Sequence, residues 1–438
     1  MAKSFHLSRK AVSSPVRDTG LRFLATILAF LIIVIFFFIV TNLSLGKTIS
    51  CLFVGAFGNK GTIYFFYVMS FLLILALGLA PCYKLRFWNI GAQGQAIMGC
   101  LFGGIVVYYL GANCIITNIF LLYTLALIMA MIGGGLWAAV AGLLKTKLKC
   151  NETLSTLMLN YVATQIMKAV IDTWKGQEQR LSPFTFGDSN TRIYFDSLLG
   201  NKATIIYIIV AVVAIFMFIY LKFSKHGFEI SVVGDSRNTA KYAGINPDKV
   251  VLRTVILSGA ICALAGFFFL GYNSTISYSG ADGGFGFTAI VVAWSSHFNV
   301  LAMVILSFLV IFFCTGVDRG IVSEASLDGS AKYVAVGIYL FILIAIEFFL
   351  RFKFVLSEEK EKKRVRKKEY FIKKHPKIYE FICKVNKNID YIDDKIINLN
   401  SIVYAWFCKI FKKEETAPAK EIQDNNCKNS NIQDKEEK

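Results

Sequence analysis

The segment Trp88-Asn-Ile-Gly-Ala-Gln-Gly-Gln95 lies between two long apolar runs of the chain. Amide side chains and glycines are unusual at membrane depth, because each unsatisfied polar group in hydrocarbon costs several kcal/mol. Such a segment needs either protein partners or a water-filled cavity around it. We therefore interpret residues 88–95 as part of the wall of a passage through the membrane.

The composition indicates a membrane protein. Of 438 residues, 55% are hydrophobic and only 17% are charged, whereas soluble proteins carry about 25% charged residues. The formal net charge of +18 arises from Lys and Arg in short loops and in the last quarter of the chain. That distribution follows the positive-inside rule and argues against nucleic-acid binding. The ten scattered cysteines are interpreted as small buried hydrophobic side chains, with no disulfide framework or metal site. The four histidines are separated in the sequence, which argues against a zinc or haem centre.

The apolar runs predict an all-α polytopic membrane protein with about ten transmembrane helices, including short or broken ones. The predicted crossings are 21–40, 62–81, a run ending near 111, 119–144, a run opening at 151, 202–221, 254–271, 284–294, 300–317 and 333–350. Residues 284–294 are too short to cross alone at 1.5 Å per residue. Without that crossing, however, the basic C-terminal tail would lie outside, against the positive-inside rule.

Three regions follow from this topology. Basic residues before the first run predict a cytoplasmic N-terminal segment, 1–20, and a transmembrane domain covers 21–352. The charged tail 353–438 is predicted to be cytoplasmic. Apolar residues at helical spacing between Ile392 and Phe411 predict an amphipathic helix on the anionic inner leaflet, and the polar end of the tail is predicted to be disordered.

Several polar features lie between or within the runs. The loop 172–201 is predicted to face outward, either as a docking surface or as a solvated connector. Residues 49–57 predict a short interfacial piece, and the charges between 318 and 328 predict a small outer loop. Asn160 lies at membrane depth, where it either makes an interhelical hydrogen bond or lines a pathway.

The cytoplasmic segment 227–246 contains a predicted short helix, Arg237–Tyr242. Gly244 is a residue type that ends helices, and Pro247 follows it. Exposed Ala240 and Tyr242 would suit a soluble partner, whereas the alternative is a helix folded back on its own spans.

Motifs for chemistry are absent from the sequence. There is no Gly-x-x-x-x-Gly-Lys-Ser/Thr phosphate loop, no His-Glu-x-x-His and no Gly-x-Ser-x-Gly, so the sequence disfavours a membrane enzyme. It also shows no deep pair of carboxylates of the kind proton-coupled carriers use. Energy for active transport must then come from another chain, and no cofactor is expected.

The chain resembles the membrane permeases of bacterial ATP-binding-cassette importers of the branched-chain amino acid, ribose and nucleoside group. The resemblance is greatest to the nucleoside (simple-sugar) branch, and it covers roughly residues 60–350. The matching motifs, in order, are Asn89 to Gln95, Asn151-Glu152 with Met158 to Tyr161, Val233-Gly234 with Ala240 to Asn246 and Ser258 to Gly266, and Gly286 to Ile290.

The resemblance implies a homo- or heterodimer of permeases, two cytoplasmic ATPases and an extracytoplasmic substrate-binding protein, often a lipoprotein. It implies the plasma (inner) membrane of a bacterium, with both termini cytoplasmic. The residues it places near the translocation path are Trp88, Asn89, Gln93, Gln95 and Asn160. Those it places in the ATPase-coupling element are Gly227, Gly234, Ala240, Tyr242, Ala243 and Gly244. The chain departs from the family at Gln93, where Glu is usual, and at Val300, where Pro is usual.

The predicted function is import of a neutral, hydrogen-bonding solute by alternating access, driven by separate ATPase subunits. Nucleosides and simple sugars both fit a path lined by amides rather than charges. A second hypothesis is an ATP-independent channel or facilitator. A third is a membrane scaffold whose function depends on the tail 353–438.

Overall fold

The computed structural model describes residues 5–9, 15–58, 61–112, 116, 118–175, 184–186, 203–278, 281 and 283–356. The predicted amphipathic helix and disordered end of the tail lie outside these residues, and so does most of the loop 172–201.

Helices make up most of the described chain. They are α1 (Pro15–Val40), α2 (Leu45–Phe57), α3 (Gly61–Lys84), α4 (Ala92–Val106), α5 (Ile119–Lys147), α6 (Glu152–Lys175), α7 (Thr204–Phe223), α8 (Lys225–Asp235), α9 (Arg237–Tyr242), α10 (Pro247–Asn273), α11 (Gly286–Ser295), α12 (Val300–Gly316), α13 (Val322–Ala325) and α14 (Ala331–Arg351). Two π-helical turns, Val107–Ala112 and Val317–Ile321, extend α4 and α12.

Nine helical segments of the described chain are long and apolar enough to cross a membrane. They correspond to nine of the ten predicted crossings, and the tenth is the ten-residue helix α11. The prediction of an all-α polytopic membrane protein with short elements is confirmed. The first helix begins at Pro15 rather than at residue 21.

Two short antiparallel strand pairs accompany the helices. Strand β1 (Phe5–Arg9) pairs with β4 (Phe352–Leu356), and β2 (Phe184–Thr185) pairs with β3 (Thr275–Ile276). The chain divides into two compact units. The first comprises Met1–Leu24 with Phe348–Lys438 and contains the β1–β4 pair; the second, Ala25–Glu347, contains most of the helical domain.

Helices α3 and α10 form the centre of the second unit. In each of them, 78% of the residues in the most apolar stretch of the helix are buried by protein, compared with 22% in α7. Glycines let α10 approach α4 closely: a Cβ built on Gly99 would lie 2.4 Å from the Ala263 oxygen, and one on Gly266 would lie 2.0 Å from the Ala96 oxygen. Small residues thus set this crossing, as is common where helix backbones meet in membranes.

Helix α2 packs against the end of α12 and its π-helical turn, so the predicted interfacial piece is anchored to the bundle. A Cβ on Gly55 would lie 2.5 Å from the Gly320 nitrogen, and one on Gly316 would lie 2.7 Å from the Leu52 oxygen. Such backbone-to-backbone contact requires glycine at these positions.

The prediction of a loop from residue 318 is wrong, because the chain stays helical to Ala325. Asp318 forms an ion pair with Lys332 at 3.0 Å, and Glu324 pairs with Lys47. The Arg319 guanidinium lies 4.8 Å from the centre of the Tyr64 ring. Because each of these charges has a partner from another helix, the charged residues do not end the helix here.

Candidate functional site

The segment 88–95 forms the turn from α3 into α4, and two of its three amide side chains, Asn89 and Gln95, are hydrogen-bonded to protein groups. Asn89 is fully buried. Its Nδ2 donates to Ser258 Oγ at 3.2 Å and to Gln95 Oε1 at 3.4 Å, while its Oδ1 accepts from the Gly91 backbone at 2.9 Å. This turn is thereby attached to α10, which carries Ser258.

Asn160 on α6 binds the same turn from the other side. Its Oδ1 accepts from the Gly94 backbone nitrogen at 2.8 Å, and its Nδ2 donates to the Ile90 carbonyl at 2.9 Å. Thr156, one helical turn earlier, accepts from the Ile90 nitrogen at 3.1 Å. The interhelical hydrogen bonds that one interpretation of Asn160 predicted are therefore present. We call Asn89, Gln95, Thr156, Asn160 and Ser258 the amide cluster.

The five predicted path residues divide into two groups. Asn89, Gln95 and Asn160 are together in the amide cluster, each 5% exposed or less. Trp88 is 46% exposed and Gln93 is half-buried, with no side-chain hydrogen bond to another described residue. In this conformation the three cluster amides bind protein groups, and their role along a passage stays a prediction.

The segment 227–246 folds as two short helices, α8 and α9. Ser224 caps α8 by accepting from the Gly227 nitrogen at 2.9 Å, and Ser236 caps α9 by accepting from the Thr239 nitrogen at 3.3 Å. Gly244 follows α9 with a φ of +74°, a left-handed conformation that glycine adopts without strain. The predicted helix Arg237–Tyr242 and its glycine stop are confirmed.

Two glycines hold this pair of helices against the spans. A Cβ on Gly227 would lie 2.4 Å from the Tyr220 oxygen of α7, and one on Gly234 would lie 2.3 Å from the Lys84 oxygen at the end of α3. An ion pair between Glu229 and Arg253 of α10, at 2.8 Å, adds a third attachment. The two-helix element is thus in direct contact with the backbones of two spans.

The predicted exposure of Ala240 is wrong. Ala240 is fully buried in a cluster that includes Leu85, Val233 and Val250, because α9 turns this face toward the spans. The exposed surface consists instead of Tyr242, which is 93% exposed, the neighbouring 243–244, and Phe228 on α8, which is 65% exposed. We call this the α8–α9 surface.

A cavity that no sequence pattern predicted lies at the opposite end of α3 from Gly234. Its volume is about 300 Å³, and its walls come from the start of α3 and α14 and from the ends of α10 and α12. We call it the aromatic pocket. The one signal in the sequence is the spacing of Tyr64, Tyr67 and Phe71, which places three rings on one face of α3.

In the described part of the chain, no group of three His, Cys, Asp or Glu side chains is placed to hold a metal ion. The six cysteines described are free thiols, four of them buried.

Comparison with known proteins identifies a family. Residues 61–347 match the family model described as the permease component of branched-chain amino acid transport systems. A guanosine ABC transporter permease protein of Bacillus subtilis is 25% identical over 66% of this chain and 82% of its own length. A nucleoside ABC transporter permease protein of Lactococcus lactis is 26% identical over 72% and 89%, respectively.

A third relative is a glucose ABC transporter permease protein of Haloferax volcanii, which is 26% identical over 64% of this chain and 75% of its own length. No solved structure matches the chain.

Proposed function

The chain belongs to the family of permease components of branched-chain amino acid transport systems, and from this premise we propose which solute it moves and how. It is the membrane subunit of an ATP-driven importer, and its cargo is a nucleoside or a related simple sugar. Permeases named for guanosine, nucleosides and glucose among its relatives support this cargo class. The uncharged Gln93 suits a neutral solute.

The observation that carries the proposal is the α8–α9 surface. Tyr242 projects almost fully into solvent, while glycines on the other side of the same element contact the backbones of α3 and α7. An element exposed at its tip and closely packed at its base is suited to pass a movement of a soluble partner on to the spans. We assign this partner as a cytoplasmic ATPase, with Tyr242, Ala243 and Gly244 in its docking surface and Gly227, Gly234 and Ala240 in the supporting base.

The assembly then requires further chains. A second permease subunit, identical or homologous, completes the membrane part, and an extracytoplasmic substrate-binding protein, often a lipoprotein, delivers the solute. The complex lies in the plasma membrane of a bacterium, with both termini of this chain in the cytoplasm. Trp88 and Gln93 face the passage in this proposal, and the amide cluster holds that wall to α6 and α10.

Replacing Tyr242 by Ala is expected to lower ATP-driven inosine uptake about tenfold or more, because a central aromatic contact in an interface contributes at least about 2 kcal/mol. The amount of chain in the membrane is expected to stay unchanged, since Tyr242 is exposed. Uptake is measured in proteoliposomes that hold the whole assembly, together with the ATPase activity that inosine stimulates.

The matched control is Tyr109→Ala, which removes another exposed tyrosine (53% exposed) at the opposite end of the bundle. Uptake by Tyr242→Ala equal to that of the control would argue against the docking role. Inosine uptake by this chain alone, without an ATPase, would instead support a channel or facilitator.

A further inference from the structure

The aromatic pocket lies at the end of the central helices α3 and α10 that is opposite the α8–α9 surface. Helix α3 begins at the pocket, near Tyr64, and ends at Lys84, against which Gly234 of α8 packs. Helix α10, the other central helix, ends at the pocket with Tyr272 and Asn273. The two most buried spans thus present their ends to one cavity of about 300 Å³, a volume at the lower end of the range for small-molecule sites.

Aromatic rings dominate the walls of this cavity. Seven of its fourteen lining residues are Tyr or Phe, so half of the residues that a ligand meets carry aromatic rings. The rings of Tyr67 on α3 and Tyr272 on α10 are stacked, with centroids 3.9 Å apart and planes at 25°. Phe71 meets Tyr67 edge-on at 5.1 Å. These rings form one continuous aromatic wall across two helices.

The two charged side chains of the pocket are paired with each other. Asp318 and Lys332 form an ion pair at 3.0 Å, which leaves the wall without net charge from these two residues. The Thr315 hydroxyl donates to the Ile311 carbonyl of its own helix at 2.8 Å. An anionic or cationic ligand would have to break the ion pair to gain a partner here, so a neutral ligand is favoured.

Asn273 supplies a directional polar group beside the rings. Its Nδ2 donates to the Tyr67 hydroxyl at 3.3 Å and to the Phe269 carbonyl at 3.1 Å. Both of these bonds to described residues use the nitrogen, so the Oδ1 remains as an acceptor. One amide acceptor beside a wall of rings suits a planar ring that carries an N–H group. A bare sugar instead needs polar partners around its whole edge.

We propose that the aromatic pocket binds the heteroaromatic base of a neutral nucleoside by stacking against its tyrosine rings, an inference that rests on the proposed function and narrows its substrate class. Tyr272 is the accessible ring of the stacked pair, since it is half-buried whereas Tyr67 is only 7% exposed. The ribose is then left toward the open side of the pocket. Base recognition, rather than sugar recognition, makes the permease selective.

Inosine and ribose form a matched pair of probes, because inosine is a ribose that carries a base. The purified full chain, in lipid nanodiscs and without ATP, is tested for equilibrium binding of tritiated inosine, with unlabelled inosine or ribose as competitor. Inosine is expected to displace the label, and ribose is expected to need at least about tenfold higher concentrations, which corresponds to one stacked base.

Two variants test the ring itself. Tyr272→Leu removes the aromatic face and is expected to weaken inosine binding about tenfold or more. Tyr272→Phe keeps the face and is expected to bind within about threefold of the parent protein, since the proposal assigns recognition to stacking. Tyr109→Leu, outside the pocket, serves as the matched control for loss of an exposed tyrosine ring.

Absence of displaceable inosine binding to the unaltered chain would overturn the proposal, and so would equal competition by ribose or parent-like binding by Tyr272→Leu. The competition between inosine and ribose uses only the unaltered chain. It therefore tests the proposal even if the Tyr272→Leu variant does not fold. ATP-driven uptake by the whole assembly is measured in parallel. Intact binding without uptake would contradict the proposed function, whereas intact uptake that does not depend on Tyr272 would contradict the assignment of the pocket.

Discussion

Replacing Gly266 by Ala is expected to reduce the amount of folded chain in membranes severalfold, although the change adds one methyl group. The added Cβ would lie 2.0 Å from the Ala96 oxygen and 2.5 Å from the Cys100 nitrogen. Both atoms belong to the backbone of α4, so no side-chain rotation relieves the clash. Overpacking a core costs about 1–3 kcal/mol when side chains can adjust, and we expect about 3 kcal/mol or more here.

The control for this variant is Gly337→Ala. Gly337 also lies within a span, on α14, but a Cβ there meets no other atom within 4 Å. The same glycine-to-alanine change at that site is expected to leave expression and thermal stability unchanged, as measured by fluorescence-detected size exclusion after heating in detergent. If the two variants had the same expression and thermal stability, the prediction would be wrong, because the α4–α10 crossing would then accommodate a Cβ at position 266.

Replacing Asn160 by Leu is expected to lower the thermal stability of the chain markedly. The two residues are similar in size, but leucine cannot accept from the Gly94 nitrogen or donate to the Ile90 carbonyl. Each buried backbone group left without a partner costs about 1–3 kcal/mol, and at membrane depth water does not replace the lost bonds. We expect a loss of about 2 kcal/mol or more, with a corresponding fall in melting temperature in the same assay.

Gln93→Leu is the matched control for this second prediction. It removes an amide from the same motif, but the Gln93 side chain makes no hydrogen bond to another described residue, so stability is expected to stay within experimental error. A stable Asn160→Leu chain would show that the amide cluster does not hold α6 to the turn.

Local chemistry explains the features that the sequence predicted correctly. The helix Arg237–Tyr242 follows from short-range signals, because Gly244 takes a left-handed backbone and Pro247 starts the next helix. The short helix α11 follows from the length of its apolar run and from the count of crossings. The first depends on residues a few positions apart, the second on the order of apolar runs and charges along the chain, and neither requires knowledge of which residues are in contact.

Long-range contacts explain what the sequence did not predict. Ala240 is buried because α9 packs on a cluster that includes Leu85, more than a hundred positions earlier. The helix continues past Asp318 because Lys332 and Lys47 neutralise its charges. No local pattern reveals such partners.

The candidate site shows the same difference between local signals and long-range contacts. The grouping of Asn89 with Asn160 depends on α6 folding back onto the turn, so the motif predicted polar partners for these residues without identifying them. The aromatic pocket combines residues from helices far apart in the sequence, so its rings resembled ordinary apolar side chains of separate spans.

Helix α3 connects the aromatic pocket to the α8–α9 element, and this connection bears on the binding affinities at both places. Its 24 residues extend about 36 Å at the usual rise of an α-helix, with the aromatic pocket at one end and the Gly234 contact at the other. If α3 shifts as a rigid body when an ATPase engages α8 and α9, the pocket changes shape and its affinity changes with it. Thermodynamic reciprocity then requires that a ligand in the pocket alter the affinity for the ATPase by the same factor. In that case, a ligand at one end of α3 changes ATPase binding at the other end through this single helix.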